Sequence, residues 1–340
     1  MKPTNDVYFL EHVAVVQKGV KLKNKRGISM KTNGLLKISL LILPLLVACA
    51  TNDTPPNVEP EKPEEISVIV LAGQSNMEGN TWSQYISTSY GFSEDEVMRI
   101  NQGYEGIKMN YRCFWNGNPS GGTNSYGTFQ SVKLGQANTI SKFGPEIGIA
   151  DYLTEKGYGE KVALIKYAVG ASVLAPAAGE WGSPSSGLSK NGKWYDATLE
   201  LVSEGLETLE KNTGKKPVIK AMCWMQGESD AGNSSYNNGY FQNLINFVSD
   251  LRDEWEADSK EGGFTFIDAY ISQYWNGYQS INNAKSEFNE FDDNSMLIDT
   301  IAEGLEYNTQ PIGNVDYFHY DAYSMFKLGR LFGEQIETIL

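Results

Sequence analysis

Histidine and cysteine are scarce in this chain of 340 residues, which contains two histidines and three cysteines. One histidine, His12, lies near the start of the chain, so His319 is the only imidazole in everything that follows it. The cysteines are Cys49, Cys113 and Cys223, and neither a Cys-x-x-Cys motif nor a paired-histidine pattern occurs. Structural zinc sites are built from such clusters. The sequence therefore predicts no metal site, and we expect no cofactor.

Positive charge is also lacking. The chain carries 28 Lys and Arg against 42 Asp and Glu, a net charge of -14 at pH 7. Residues 1–48 hold eight basic and two acidic residues, which leaves 20 basic and 40 acidic residues, a net charge of -20, for the rest. A domain this acidic repels phosphate backbones. We therefore expect no nucleic acid partner, and a neutral or cationic substrate is easier to accommodate.

The early part of the chain lacks an apolar run long enough for a comfortable membrane span. Residues 30–50, MKTNGLLKISLLILPLLVACA, combine a basic start, roughly a dozen apolar residues and a small residue before Cys49, as export signals do. Leu46–Cys49 resembles the lipobox of bacterial lipoproteins, and the alternative is a secretory signal with an incidental cysteine. We expect an exported protein that a lipid on Cys49 anchors to the bacterial cell envelope. Export permits a disulfide between Cys113 and Cys223, and two buried free thiols are the alternative.

Three segments follow from this organisation. Residues 1–48 are predicted to be an N-terminal extension with a lipoprotein signal peptide. Residues 49–65 are polar, acidic and rich in proline, which is typical of a flexible tether. Residues 66–340 are predicted to form one domain, because no second boundary interrupts them.

Buried strands and amphipathic helices are predicted to alternate within this domain. Apolar, β-branched runs occur at 66–73, 161–170, 217–227 and 264–271. Helical periodicity occurs at 144–157, 194–214, 240–258 and 321–340, the last with Asp321 placed to cap it. Continuous apolar strands separated by helices favour an α/β fold with a parallel sheet covered on both faces. Ligands of such sheets bind beyond the carboxyl ends of the strands.

Residues 80–140 and 175–193 do not follow this alternation. Both stretches are rich in Gly, Asn, Ser and aromatic residues and are predicted to be long loops, which are usually functional or disordered. Three of their aromatic side chains, Trp115, Tyr126 and Trp181, together with Trp194 directly after the second stretch, are candidates for stacking on sugar rings. The alternative is that these rings hold the loops against the body of the protein.

A serine and the single late histidine form a candidate catalytic pair. Ser75 lies in LAGQSNMEGN, directly after the first predicted strand. His319 lies in VDYFHYDAY, three residues after Asp316. This spacing lets the carboxylate reach Nδ1–H of the ring, select its tautomer and stabilise the imidazolium. The alternative is a purely structural histidine.

Two further groups at strand ends are candidate oxyanion donors. Gln226 follows the third predicted strand, where its amide N–H can reach a developing negative charge. Gly170 follows the second predicted strand, where the missing side chain lets its backbone N–H approach the same oxygen. The backbone N–H of Ser75 is the third candidate donor.

Four stretches in this order resemble one superfamily: GQSNM (73–77), YAVGAS (167–172), WMQGESD (224–230) and DYFHYDA (316–322). They are similar to the SGNH hydrolases and, among these, to the sialate O-acetylesterase and acetylxylan esterase group, carbohydrate esterase family six. GPEIG (144–148) also matches a segment common in that group. The resemblance covers residues 66–340. It implies a flavodoxin-like three-layer α/β/α sandwich around a central parallel sheet, and removal of acetyl groups from an acetylated poly- or oligosaccharide.

The resemblance also implies roles for individual residues. Ser75 would be the nucleophile, His319 the general base and Asp316 the acid that orients it. Ser75, Gly170 and Gln226 would form the oxyanion hole. Glu228 is the alternative acid, because it is typical of the third block of the family. The family often shows two glycines where this chain has Gly170 and Ala171.

Two other classes of function stay open at this point. One is a non-catalytic carbohydrate-binding lipoprotein on the same fold, although retention of all the candidate catalytic residues speaks against it. The other is a lipase or thioesterase of the same superfamily. Loops that are polar and aromatic rather than aliphatic favour a sugar substrate over a lipid.

Overall fold

Residues 63–114 and 122–340 are described by a computed structural model of the chain. All of them belong to one compact unit, Pro60–Leu340. The predicted signal peptide, Cys49, nearly all of the predicted tether and Trp115 lie outside the described residues. Within those residues, no helix has the length and apolar character that crossing a membrane requires.

The strands of the described chain belong to one large sheet and two small ones. They are β1 Glu65–Gly73, β2 Thr81–Trp82, β3 Tyr104–Phe114, β4 Gln130–Val132, β5 Lys142–Phe143, β6 Val162–Val169, β7 Lys216–Met225, β8 Thr265–Ala269, β9 Ser295–Ile298, β10 Tyr307–Asn308 and β11 Asp316–Tyr320. The α-helices range from single turns to six turns. They are α1 Ser75–Glu78, α2 Glu94–Gln102, α3 Glu146–Glu155, α4 Lys193–Thr213, α5 Glu228–Ala231, α6 Ser234–Asn237, α7 Tyr240–Glu254, α8 Tyr278–Phe291 and α9 Ala322–Glu337.

The central sheet has seven strands in the order β4-β3-β6-β1-β7-β8-β9. Its strands run parallel, except that β4 is antiparallel to β3. Every residue of β6 and β8 is buried, which explains why these strands are mostly apolar rather than alternating; Lys166 and Asp268 are the charged exceptions, and each has a buried partner of opposite charge. The predicted α/β architecture, a flavodoxin-like three-layer sandwich around a parallel sheet, is confirmed. β10 pairs with β11, and β2 with β5, in two small antiparallel sheets.

Four of the helices, α3, α4, α7 and α9, lie where the periodic segments predict them. α3 packs against α9, and α7 packs against α8. The ring of Phe247 on α7 contacts that of Tyr195 on α4, with 6.1 Å between the ring centroids. Asp321 caps α9 as predicted, because its Oδ1 accepts the backbone N–H of Ser324 at 2.7 Å.

The segment GPEIG supplies a buried ion pair. Lys166 Nζ on β6 lies 2.7 Å from Glu146 Oε2, and both side chains are fully buried. The same Nζ donates to the backbone oxygen of Glu78 at 3.0 Å, and Glu146 Oε1 accepts the N–H of Gly144 at 2.9 Å. This ion pair therefore fixes the last residue of α1, Glu78, through the hydrogen bond from Lys166.

Part of the predicted loop 80–140 is regular structure. α2 begins with a capping box, in which Ser93 Oγ accepts the N–H of Glu96 at 3.2 Å and the Glu96 carboxylate accepts the N–H of Ser93 at 2.7 Å. β3 lies inside the sheet and pairs with β6. Its buried Asn110 accepts a hydrogen bond from Ser125 Oγ at 2.5 Å. The loop prediction is therefore wrong for α2 and β3. In β3 the polar residue Asn110 can be buried because Ser125, in the loop that follows, donates a hydrogen bond to it.

The two late cysteines are not bonded to each other. Cys113 and Cys223 are both free and buried, which is the second of the two alternatives. Burial raises the pKa of the Cys113 thiol to about 12. Both side chains therefore behave as small apolar groups at neutral pH.

Candidate active site

Ser75 lies at the carboxyl end of β1, where the chain turns into α1. Gly73 precedes it with φ of 146°, and a Cβ at this glycine would lie 2.1 Å from the backbone oxygen of Met225 on β7. Only glycine allows the two backbones to approach this closely. Ser75 is the first residue of a four-residue helix and is 7% exposed. The turn thus presents the Ser75 hydroxyl at the sheet edge where ligands of parallel sheets bind.

Asp316 and His319 lie together on β11. His319 Nδ1 is 2.7 Å from Asp316 Oδ2, and Asp316 Oδ1 accepts the N–H of Phe318 at 3.0 Å. Burial raises the pKa of Asp316, but the hydrogen bonds from His319 and Phe318 outweigh this effect and leave the pKa below its usual value. The carboxylate therefore favours a proton on Nδ1 and leaves Nε2 as the basic nitrogen.

Asn80 contacts the other side of this imidazole. Asn80 Nδ2 lies 2.9 Å from His319 Nε2 and 3.3 Å from Nδ1. A donor in line with one ring nitrogen would be far from the other, so these distances place the amide against the ring face. Lys142 Nζ donates to Asn80 Oδ1 and fixes the orientation of the amide. His319 is thus held at its edge by Asp316 and at its face by Asn80.

Ser75 and His319 line the same pocket. No hydrogen bond joins Ser75 Oγ to the imidazole in the part of the chain that the structure describes. Bonds of this kind commonly tighten only when substrate is bound.

The alternative acid, Glu228, bonds to a different residue. Its Oε1 accepts Nδ2 of Asn76 at 2.8 Å, and both side chains are fully buried. Asn76 Nδ2 also lies 3.3 Å from the backbone oxygen of Phe318, so this residue links the serine turn to β11. Burial raises the pKa of Glu228. The structure therefore pairs Asp316, and not Glu228, with His319.

Two of the expected oxyanion donors are engaged elsewhere. The N–H of Gly170 donates to the backbone oxygen of Phe114 at 3.2 Å. Gln226 is fully buried, and its Nε2 lies 2.7 Å from Asp230 Oδ2 and 2.9 Å from the backbone oxygen of Ser172. A side-chain amide has two hydrogens, and these two acceptors use both. In this arrangement, therefore, neither Gly170 nor Gln226 has a free donor for the expected oxyanion hole.

Gln74 is a donor that the sequence analysis missed. Its Oε1 accepts from the backbone N–H of Ser229 at 3.2 Å and of Gly227 at 3.3 Å, and from Gln226 Nε2 at 3.3 Å. Gln74 lines the pocket, and its Nε2 has no acceptor among the described residues. The N–H of Ser75 is likewise unused by those residues, as is usual in the first turn of a helix. Two donors therefore flank the serine hydroxyl.

The pocket around these groups has a volume of about 190 Å³. Its lining consists of Gln74, Ser75, Glu78, Asn80, Gly170, Ala171, Ser229, Trp275, Phe318 and His319. Trp275 and Phe318 form an aromatic wall, with 4.7 Å between their ring centroids, and Phe318 is 51% exposed. Neither ring could be predicted to line the pocket, because no periodic pattern in the sequence indicates where Trp275, in a loop, or Phe318, in a short strand, points.

The aromatic residues expected to stack on sugars lie elsewhere. Trp181 is fully buried and packs edge-on against Trp224, with 5.2 Å between the centroids. Trp194 is 8% exposed. The stacking prediction is therefore wrong for Trp181 and Trp194, which hold their loops against the core. Tyr126 is exposed but does not line the pocket.

Two residues that line the pocket, Glu78 and Ala171, differ from the usual behaviour of their residue types: Glu78 in its pKa and Ala171 in its backbone conformation. Glu78 is buried, and neither of its carboxyl oxygens has a partner among the described residues. Burial raises the pKa of Glu78 to about 8, so this carboxyl is mostly neutral at pH 7. Ala171 has φ of 56°, a conformation that favours glycine, which explains why the family often has glycine here.

Comparison with known proteins agrees with this geometry. A family model described as carbohydrate esterase, sialic acid-specific acetylesterase, matches residues 65–338. No curated protein sequence matches the chain. A solved structure from Arabidopsis thaliana is similar at 15% identity with a TM-score of 0.57, covering 82% of this chain and 99% of the other. The structure of NanS is similar at 16% identity with a TM-score of 0.54, covering 81% and 98%. At these identities the two structures show a shared fold.

Proposed function

The chain belongs to the carbohydrate esterase family of sialic acid-specific acetylesterases, and we propose that it removes O-acetyl groups from carbohydrates as a serine esterase. Family membership indicates a hydrolase that acts on an acetylated carbohydrate. We assign Ser75 as the nucleophile, His319 as the general base and Asp316 as the group that orients His319.

The first step forms an acetyl-enzyme. Ser75 Oγ attacks the acetyl carbonyl carbon while His319 Nε2 takes the hydroxyl proton. The hydrogen bond of 2.7 Å from Nδ1 to Asp316 stabilises the imidazolium that results. The C–O bond to the sugar then breaks, and the imidazolium proton passes to the departing sugar oxygen.

The negative oxygen formed in this step needs hydrogen-bond donors. We assign the backbone N–H of Ser75 and Nε2 of Gln74 to this role, because both border the pocket without another acceptor in the described chain. The three hydrogen bonds to Gln74 Oε1 hold the amide in position before substrate arrives. Such preorganised donors stabilise the transition state more than mobile ones do.

The second step regenerates the enzyme. His319 Nε2 takes a proton from water, and the resulting hydroxide oxygen attacks the acetyl carbonyl carbon. The bond to Ser75 Oγ breaks, the serine regains its proton from His319, and acetic acid leaves and loses its proton to solvent water as acetate.

One observation carries this proposal: His319, which is paired with Asp316, lines the same pocket as Ser75, at the carboxyl edge of the sheet. A protein that only binds glycans has no need for a basic imidazole nitrogen beside a buried serine hydroxyl. A lipase or thioesterase is disfavoured by the pocket, which is small for an acyl chain and lined by polar groups and two aromatic rings.

The test is release of acetate from an aryl acetate and from acetylated glycans by the full chain and its Ser75→Ala variant. We expect hydrolysis that falls to traces in the variant. Ser229→Ala is the matched control, since this serine lines the same pocket without a proposed catalytic role for its hydroxyl. An active Ser75→Ala protein would refute the mechanism, and glycan binding without acetate release would favour the non-catalytic alternative.

We also propose that Cys49 carries a lipid anchor and that residues 49–65 tether the esterase domain, 66–340, to the cell envelope. The support is the signal sequence, together with the start of the family match at residue 65. Expression in a bacterium with a labelled fatty acid tests this. We expect label in the wild type and none in Cys49→Ser, and an unlabelled wild type would refute the anchor.

A further inference from the structure

Two clusters of aromatic rings, which we together call the aromatic edge, lie on the segments that border the pocket: Trp275 with Phe318, and Tyr274 with Tyr307 and Tyr317. Its ring centroids are 4.3 Å apart for Tyr274 and Tyr307, 4.7 Å for Tyr307 and Tyr317, and 4.7 Å for Trp275 and Phe318. Tyr274 is 38% exposed and Tyr317 is 49% exposed. Contiguous exposed apolar groups of this kind usually mark a binding surface.

The aromatic edge continues the candidate active site. Trp275 and Phe318 line the pocket, and each is adjacent in the chain to a tyrosine of the edge. The pocket, at about 190 Å³, is smaller than the roughly 300–1,000 Å³ of sites that enclose a whole ligand. A sugar whose acetyl group reaches Ser75 therefore leaves most of its ring, and any neighbouring sugar, outside the pocket.

Among the described residues, positively charged side chains are missing from the lining of the pocket. No Lys or Arg lines the pocket in residues 63–114 and 122–340, and the sequence of residues 115–121 contains none. The nearby Lys142 lies behind Asn80, to which its Nζ donates, and this Nζ is 4.8 Å from the centroid of the Trp82 ring. A carboxylate on the substrate would therefore find no free cation at the pocket.

The groups that border the edge are acidic. Glu306 Oε2 accepts the hydroxyl hydrogen of Tyr274 at 2.9 Å. Asp316 lies next to Tyr317, and hydrogen bonds from His319 and Phe318 lower its pKa despite burial. These carboxylates repel an anionic sugar, whereas the aromatic faces can pack against the C–H faces of an uncharged one.

We propose that the aromatic edge binds uncharged sugar rings, so that the substrate is an O-acetylated neutral oligosaccharide rather than an isolated acidic sugar. This inference rests on the proposed esterase function and adds the class of carbohydrate. A docked protein is disfavoured, because the edge is continuous with the pocket that contains Ser75.

The test compares acetate release from four substrates: an aryl acetate, acetylated xylose, its acetylated tetrasaccharide and an O-acetylated sialoside. We expect kcat/KM for the tetrasaccharide to exceed that for the monosaccharide and for the sialoside by about tenfold or more. Tyr317→Ala should raise KM for the tetrasaccharide by about three- to tenfold, the effect of one lost aromatic contact. Tyr274→Ala serves as the second variant if Tyr317→Ala fails to fold.

Phe291→Ala is the matched control. Phe291 is also an exposed aromatic residue in a ring pair, but it lies just before β9, at the opposite end of the parallel strands. Sialoside cleavage as fast as that of the tetrasaccharide would overturn the inference, and so would equal losses on monosaccharide and tetrasaccharide in Tyr317→Ala. A wild type inert toward the aryl acetate and all glycans would refute the esterase itself. Aryl acetate hydrolysis with a preference for the sialoside would refute only this inference.

Discussion

Replacement of Asp316 by asparagine tests the proposed acid, because the neighbouring backbone determines how the new amide is oriented. The N–H of Phe318 donates to Asp316 Oδ1 at 3.0 Å and still needs an acceptor in the variant. The amide oxygen of Asn therefore takes that position, and its NH2 group faces His319 Nδ1. His319 must then carry its proton on Nε2, which removes the base from Ser75.

The size of the loss follows from two contributions. Restoring the active tautomer requires turning the amide and leaving the Phe318 N–H without its partner, at a cost of about 1 kcal/mol. The variant also loses the attraction between carboxylate and imidazolium, which is about 4 kcal/mol at roughly 4 Å in an effective dielectric of about 20. Asp316 is 33% exposed and His319 is 14% exposed, so solvent reduces this attraction to about 3 kcal/mol. Together these effects predict a loss of about 10³-fold in kcat.

The assay is steady-state hydrolysis of an aryl acetate between pH 5 and pH 10, with thermal unfolding of each variant as the check on folding. Glu228→Gln is the control, because its side-chain oxygen can still accept from Asn76 and it does not contact His319. We expect Glu228→Gln to keep kcat within about tenfold of the wild type. A small effect of Asp316→Asn together with a large effect of Glu228→Gln would refute the assignment of Asp316.

Three further predictions follow from contacts around the pocket. Gln74→Ala should lower kcat by about 10²- to 10³-fold with little change in KM, and unchanged turnover would remove Gln74 from the oxyanion hole. Lys166→Met should lower the free energy of unfolding in urea by about 3–5 kcal/mol, because it leaves Glu146 buried and unpaired; a loss under about 1 kcal/mol would contradict a buried pair. Burial raises the pKa of Glu78 from 4.5 to about 8, so the folded chain keeps a proton that the unfolded chain releases, and stability should fall between these pH values. Glu78→Gln should flatten this decline in thermal unfolding measurements, and an unchanged pH dependence would show that Glu78 titrates normally.

The central fold could be predicted because its strands are buried on both faces. Four apolar runs predicted β1, β6, β7 and β8, and helical periodicity predicted α3, α4, α7 and α9. β3 was missed because its polar residues are compensated by contacts that sequence does not reveal, such as the bond from Ser125 to Asn110. α8 and β9 were missed because Tyr278–Phe291 is largely polar and β9 has only four residues.

In the candidate site, the sequence predicts contacts between residues that are close together in the chain. Asp316 and His319 are three residues apart, so the spacing alone indicated their contact. The expected roles of Gln226 and Gly170 depended on which way an amide and a backbone N–H point. That orientation is decided by acceptors on distant segments, such as Asp230 for Gln226 and Phe114 for Gly170. Gln74 belongs to the motif around Ser75, but its orientation depends on donors about 150 residues further along the chain.

The hairpin of β10 and β11 has a consequence for engineering and for divergence within the family. It carries the proposed base and the proposed acid, His319 and Asp316, and also Tyr307, Tyr317 and Phe318 of the aromatic edge. Insertions or substitutions in this hairpin that change the preference for a glycan would also move His319, the proposed base, relative to Ser75. Changes of specificity that preserve turnover should therefore accumulate in loops that carry no catalytic group. A directed-evolution library is better placed on the segment around Tyr274 than on this hairpin.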